Sequence, residues 1–309
     1  MIFVDDLIHF ALKNKYEKVK QLRPRLEKMN ALLDWQKFAD LFPEKESNMG
    51  RPAYNKVLMV HIMFLQSWYS ISDEELEFQI YDRLSFQQFL DFPKSIPDYS
   101  TIWRFREDIA QDDIAERIWE ELKRQIAEKG ISIRNGKIQD ATFIEADPGK
   151  KRSGMEGRGR EAKTSRSRDG TWTKKNGTSH FGFKLHNKVD HESKLIEEMG
   201  VTTAKTHDSN VDLAEKGDII YRDKAYTGTK TKALGNASMK RGNLTPQEEL
   251  RNKRISKKRC RGEHPYGTMQ RSFKAGRTKL TTIWRVYVQQ LFVCAAYNLH
   301  RVEFLLRMS

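Results

Sequence analysis

A change of hydrophobic period near Gly130 constrains this chain more than any other feature. Up to about Lys129 glycines are few, and apolar residues recur at spacings of three and four, which predicts helices. Val57, Val60, Phe64 and Trp68 form one apolar stripe. Ser72 with Glu75 three residues later reads as a capping box opening a helix over 73–81, which gives helix, short turn, helix. Ser85 opens a short helix to Leu90, Pro93 and Pro97 interrupt, and Ser100 caps a helix carrying Trp103, Arg104, Arg106 and Glu107. A helix-turn-helix array fits this region, and so does a helical bundle with a charged face; only the basic context favours the first.

Beyond Gly130 the pattern alternates. Residues 137–145 read as a strand with Ile138, Asp140, Thr142 and Ile144 on one face, and 180–190 and 195–203 continue as a meander. A helix is expected from Ser209, a short strand over 218–223 ending in an acid, and helices over 263–273 and 280–306. The expected fold is therefore α/β, a mixed sheet with covering helices over 131–309, preceded by an all-α helical region over 1–130. No internal repeat is seen.

With 56 Lys and Arg against 42 Asp and Glu, the net charge is +14 and the isoelectric point is about 9.6, which favours a polyanionic partner, nucleic acid first. Cys260 and Cys294 are too few for a disulfide framework, so a reducing, cytoplasmic location is expected. Asp5 and Asp6 stand where a signal peptide would carry positive charge. The apolar stretch 286–299 is broken by Gln289, Gln290 and Asn298, too short a run for a membrane span. Residues 150–175 hold ten Lys and Arg against three acids, a net +7. A mobile loop is expected there, within 147–178, either merely solvated or contacting phosphates beside the strand that carries Asp140.

Glu263 is the sole carboxylate between residues 250 and 302, set among thirteen Lys and Arg. It could simply start a helix just before Pro265, where the dipole favours a carboxylate by ~0.3 to 1 kcal/mol. It could equally be a metal ligand among bases that grip phosphates, as phosphoryl transfer on DNA requires. Magnesium takes only one or two carboxylates, so a two-ion site needs a few acids from different parts of the chain. Asp140 and Asp223 are the candidate partners. Each lies in or at the end of an expected strand beside Ile138 and Thr142, or Ile219, Ile220 and Tyr221, where an unpaired buried charge is costly. A capping or turn aspartate is the alternative for each. Cys260 with His264 lacks the second pair a structural zinc needs. Gly154, Gly157 and Gly159 lack the strand-to-helix context of a nucleotide fold. Trp284, Tyr287, Leu291 and Phe292 are expected in the core.

The segments Asp140-Ala-Thr-Phe-Ile-Glu-Ala146, His180-Phe-Gly-Phe-Lys-Leu-His186, Thr206-His-Asp-Ser209, Tyr221-Arg-Asp-Lys-Ala-Tyr226 and Arg261-Gly-Glu-His-Pro-Tyr-Gly267 resemble, in order and spacing, the motifs of prokaryotic insertion-sequence DDE transposases of the insertion-sequence-five group. The likeness extends to 29–35, 50–52, 68–73, 81–89 and 97–106. It implies a ribonuclease-H-like catalytic domain with Asp140, Asp223 and Glu263 as the acid triad, at separations of 83 and 40 residues, holding two Mg²⁺ ions, with Mn²⁺ as a substitute. Arg259 takes the place of the arginine in the family's tyrosine, arginine, glutamate, lysine signature. Ser256 stands at the tyrosine position, Gln270 at the lysine position with Arg271 beside it, Ala225 where glycine is common, and Gly262 where valine is common. These departures touch the phosphate grip and leave the carboxylates intact.

The reading that follows is a transposase cutting at element ends and joining them to target DNA. Its partners are double-stranded DNA, as terminal inverted repeats and target, and a second copy of itself in the synaptic complex; no membrane is involved, and the protein is nucleoid-associated when bound. Expected DNA contacts are Arg259, Arg261, Arg271, Lys184, His186, Arg104 and Arg106, although Lys184 and His186 could equally be a solvated strand face. His207 and Asp208 are expected to order a turn and cap the helix from Ser209. Two rivals remain: a non-catalytic DNA-binding protein derived from a transposase, and a host nuclease on the same fold.

Overall fold

The computed structural model describes residues 15, 17–22, 25–43, 53–111, 113–131, 136–149, 167–175 and 177–308. Asp5 and Asp6, the motif at 50–52 and the basic stretch 150–166 lie outside the described residues. The chain divides into two compact units, 1–129 with 306–309, and 130–305.

The first unit is helical: α1 (Arg25–Asn30), a 3₁₀ segment Trp35–Leu41, α2 (Lys56–Tyr69), α3 (Asp73–Asp82), α4 (Leu84–Phe89), α5 (Tyr99–Gln111) and α6 (Ile114–Glu128). The stripe Val57, Val60, Phe64 and Trp68 is buried along α2. Trp35 packs over His61 with ring centroids 3.8 Å apart and meets Phe64 and Phe89 edge-on. Ser72 caps α3, its hydroxyl accepting from the Glu75 N–H at 3.2 Å. Two caps differ from expectation. Ser85 lies inside α4. Asp98 rather than Ser100 caps α5, because its carboxylate takes both the Thr101 N–H and the Ser100 hydroxyl, each at 2.7 Å.

The second unit is a curled mixed sheet with helices. Its strands are β1 (Lys137–Ala146), β2 (Thr171–Lys175), β3 (Thr178–Asp190), β4 (Ile196–Thr203), β5 (Ile219–Arg222), β6 (Gly235–Ser238) and β7 (Arg277–Thr278), and its helices α7 (Pro246–Arg259), α8 (Glu263–Phe273) and α9 (Ile283–Met308). The order is β2-β3-β1-β5-β6, with β4 on β3 and β7 on β1. β1, β3 and β4 pair antiparallel, whereas β1, β5 and β6 pair parallel. Gly182 is required where β3 crosses β1: its φ is +144°, and a Cβ there would lie 2.2 Å from the Ile144 carbonyl oxygen.

Other expectations are corrected. The helix from Ser209 is one 3₁₀ turn, Asp208–Asn210. The end of the expected basic loop is strand β2. Helix α7 was not expected at all, although Thr245 and Glu248 form a capping box and Pro246 sits in its first turn. Leu291 and Phe292 are core residues of α9, but Trp284, near its first turn, is exposed.

Candidate active site

The sheet topology places two acids side by side. β5 pairs parallel to β1 with Lys137 opposite Ile220 and Ile138 opposite Tyr221, an offset of 83 residues. Continued two residues, this offset sets Asp140 beside Asp223, which follows the last residue of β5 in extended conformation (φ −79°, ψ −176°). The Asp223 charge is felt at Asp140.

Asp140 is half-buried. Burial raises its carboxyl above the ordinary range, and the neighbouring Asp223 charge adds to this; the Arg259 guanidinium and the Ala141 N–H oppose it. Arg259 Nη2 donates to Asp140 Oδ2 at 2.9 Å, and Arg259 Nε is buried with no hydrogen-bond partner. Asp223 caps the turn Lys224–Tyr226 by accepting the Ala225 N–H on Oδ1 at 2.7 Å. The turn role foreseen for Asp223 is thus real, and it engages one of two oxygens.

Helix α8 lies along β1. Gly262 meets Ile138 so closely that a Cβ would come within 2.6 Å of Ile138 Cγ2. One turn on, the Tyr266 hydroxyl donates to the Asp140 carbonyl at 2.6 Å, and a further turn on, Gln270 Nε2 donates to Thr142 Oγ1 at 3.3 Å. Two departures from the family pattern therefore have local reasons: Ile138 leaves no room for a valine at 262, and Gln270 binds the strand. Ser256 is exposed, and nothing in the structure explains it.

Glu263 is the first residue of α8 and exposed, and its carboxylate makes no hydrogen bond or ion pair among the described residues. No group of three or more His, Cys, Asp or Glu among the described residues is close enough to hold a metal ion. Asp140 and Asp223 supply the hard oxygen donors that a divalent ion prefers, and with Glu263 they do not form such a group of three.

Tyr226 was missed by the sequence reading as a site residue. Its hydroxyl is buried without a partner, and burial, with the charges of Asp208, Asp140 and Asp223, holds its pKa well above the usual value. Asp208 in turn accepts from Lys184 Nζ at 2.8 Å.

The other expected contacts are placed differently. Lys184 is buried, donating to Asp208 and to the Thr206 carbonyl, each at 2.8 Å. His186 is fully buried against Thr202 Oγ1 at 2.8 Å, and burial pushes its imidazole down to about 4. Neither presents a charge to solvent, so phosphate contact by these two is corrected: β3 is covered on the face that carries them. Arg106 is also buried, its guanidinium held by Asp73 and Gln66, whereas Arg104 is exposed. Arg261 and Arg271 are exposed, Arg271 bonding the Gly267 carbonyl at 3.0 Å. His207 caps its turn as expected, its Nδ1 accepting from the Ser209 N–H at 3.3 Å.

The mixed sheet thus carries Asp140 within β1 and Asp223 just past the end of the adjacent parallel strand β5, with Arg259 on Asp140. Residues 132–299 match the family described as transposase DDE domain, and residues 14–108 match a transposase domain (DUF772). The chain belongs to the DDE transposase family. No solved structure was found to match it. Members of the family generally use divalent metal ions and act on DNA. Among the described residues no helix is long and apolar enough to cross a membrane.

Proposed function

We propose that this protein is a cut-and-paste transposase of the insertion-sequence-five group with a ribonuclease-H-like catalytic domain over 131–309. Asp140, Asp223 and Glu263 are its catalytic carboxylates, and the helical region 1–130 is its DNA-reading part. The observation that carries this reading is the juxtaposition of Asp140 and Asp223 across adjacent parallel strands, with α8, headed by Glu263, lying along the same strand. The strand order supports the fold: β4, β3 and β1 run antiparallel and β1, β5 and β6 parallel, with the first acid on the central strand.

Divalent ions, two in this reading and Mg²⁺ or Mn²⁺ by donor chemistry, would supply an activated oxygen nucleophile and stabilise charge at phosphorus. Asp140 and Asp223 would hold them, joined by Glu263, whose carboxylate is otherwise uncommitted. Arg259 opposes the upward shift that burial imposes on the Asp140 carboxyl, and its Nε–H is buried without a partner beside that acid. Tyr266 fixes the Asp140 backbone, so the carboxylate is aimed by both strand and helix. Water and then the freed 3′-hydroxyl attack phosphorus in line, and no covalent protein intermediate is needed. Two ends must be joined, so the working form is a homodimer. The reaction belongs in the cytoplasm, on the nucleoid.

A second reading, a DNA-binding protein that no longer cuts, is favoured by one observation: Asp140, Asp223 and Glu263 do not form a group of three close enough to hold a metal ion. The deciding experiment is cleavage and strand transfer on a labelled duplex bearing the element's end, with Mg²⁺, Mn²⁺ or EDTA. Wild type is compared with Asp140→Ala, Asp223→Ala and Glu263→Ala where all four bind. Metal-dependent cutting and joining lost in every variant supports the transposase; tight binding without cutting establishes the second reading, and cutting without joining a nuclease.

A further inference from the structure

Helix α7 is anchored by its ends and one face. Thr245 and Glu248 cap each other reciprocally at its start, and Arg259 ends it on Asp140. On the inner face Ile255 is buried, Asn252 bonds both the N–H and the carbonyl of Lys240, and Arg251 reaches the Ser238 carbonyl at 2.9 Å. At 3.6 residues per turn the opposite face carries Leu250, Lys253, Arg254 and Lys257, all exposed. The side chains of Lys253, Arg254 and Lys257 make no hydrogen bond or ion pair among the described residues. Arg261, just past the helix end, is likewise exposed and unpaired. Lys258, at the edge of the stripe, is tied to the Tyr221 hydroxyl at 2.6 Å.

This stripe opposes helix formation. Lys253 with Lys257, Arg254 with Lys257, and Arg254 with Lys258 are like-charge neighbours, each unfavourable by roughly 0.2–0.5 kcal/mol. The helix dipole favours cations only in the last turn, which accounts for Lys257 and Lys258 and not for Lys253 and Arg254. An ordinary solvated helix face interleaves acids, yet none follows Glu249 in α7.

We propose that the solvent face of α7, through Lys253, Arg254 and Lys257, binds the phosphate backbone of duplex DNA flanking the Asp140 and Asp223 pair. The position of the cut beside this surface rests on the transposase reading; the binding itself does not. The stripe presents cations on two successive turns, Lys253 and Arg254 and then Lys257, a short complement to a polyanion's backbone. From Lys253 to Lys257 is four steps of 1.5 Å, about 6 Å, or about two base pairs at 3.4 Å. The exposed face has no aromatic ring on which a single-stranded base could stack, so the duplex backbone is the partner. Contacts of this kind position DNA without reading its sequence.

The test uses the full chain with Lys253→Gln, Arg254→Gln and Lys257→Gln combined, binding a duplex that bears the element's end and an unrelated duplex of equal length over a range of salt. The slope of log affinity against log salt is expected to fall by about 2.7, at ~0.9 for each lost phosphate contact, equally on both duplexes. Lys253→Arg with Lys257→Arg should keep the wild-type slope. If the triple variant loses its helical circular dichroism, each single variant carries the test, with an expected drop of about 0.9. An unchanged slope, or an equal drop on neutralising Lys216, Lys230 and Lys279 instead, overturns the proposal. An α7-dependent slope in a protein that never cuts would leave this proposal standing and remove the transposase reading. Cutting by wild type with no slope change in the variants would do the reverse.

Discussion

Arg259 Nη2 lies 2.9 Å from Asp140 Oδ2, so the counter-charge for the most desolvated acid of the site comes from the protein itself. A divalent ion binding at Asp140 has to displace or share with that guanidinium. Removing it should therefore tighten metal binding even as it weakens any grip on phosphate.

Arg259→Gln is expected to bind free Mn²⁺ about 10-fold more tightly than wild type in the absence of DNA, a change of ~1.4 kcal/mol. Counting unbound Mn²⁺ by electron paramagnetic resonance reads this directly, with Asp140→Asn as the variant that loses the site. Equal or weaker binding by Arg259→Gln would show that the guanidinium and the metal do not compete.

The neighbouring arginines of α5 should part company. Arg106 is buried against Asp73 and Gln66, and breaking a buried pair by removing one partner costs roughly 3–5 kcal/mol. Arg106→Ala is thus expected to lower the melting temperature of the helical unit markedly, and to lose DNA affinity only through that loss of fold. Arg104→Ala should leave thermal unfolding where it was. Equal melting of the two variants would contradict this placement.

Gly262 is pinned by Ile138. Gly262→Ala is expected to destabilise the second unit by ~1–3 kcal/mol through overpacking, and valine by more. Ile138→Ala should cost stability alone, but combined with Gly262→Ala it should cost less than the two singles together, since the clashing methyl is gone. Additive losses in denaturant melts would mean that the two residues do not touch.

His61 makes the helical unit acid-sensitive. Its ring lies under Trp35 and against Phe89, its Nε2 is buried without a partner, and burial pushes its pKa from 6.5 down to about 3. Below pH 6.5 the unfolded chain takes up a proton that the folded chain refuses. Stability should be full above that pH and fall by up to ~1.4 kcal/mol per unit as the pH drops toward 3. His61→Leu should flatten the fall between pH 6.5 and 5, above the range where carboxylates titrate. A slope identical to wild type in chemical denaturation would exclude His61 as its source.

The fold was legible wherever local pattern and burial agree. The periods over 263–273 and 137–145 predict helix α8 and strand β1, since each segment carries its own repeat. Helix α7 was not read, since its solvent face is so basic that it looks like a charge run, although Thr245, Pro246 and Glu248 spell a helix start. The aspartate pair is legible as one acid within an expected strand, Asp140, and one at the end of another, Asp223. What the sequence could not show is which cations are free. Lys184, His186 and Arg106 differ from Lys253 or Arg254 only in what packs over them, which long-range contacts to Asp208, Thr202 and Asp73 decide.

The contacts of α8 with β1 recur every four residues on the helix and every two on the strand: Gly262 on Ile138, Tyr266 on Asp140, Gln270 on Thr142. Four helical residues advance about 6 Å and two strand residues about 6.6 Å, so the scales drift by less than ~1 Å per repeat. The pair works as a vernier, and it is read at Asp140. A side-chain exchange disturbs one graduation, as at Gly262, but inserting or deleting one residue in either scale would swing every later graduation by about 100° on the helix or to the other face of the strand. Residues 262–270 and 138–142 therefore tolerate no change of length that keeps Tyr266 on Asp140 in step with the contacts on either side.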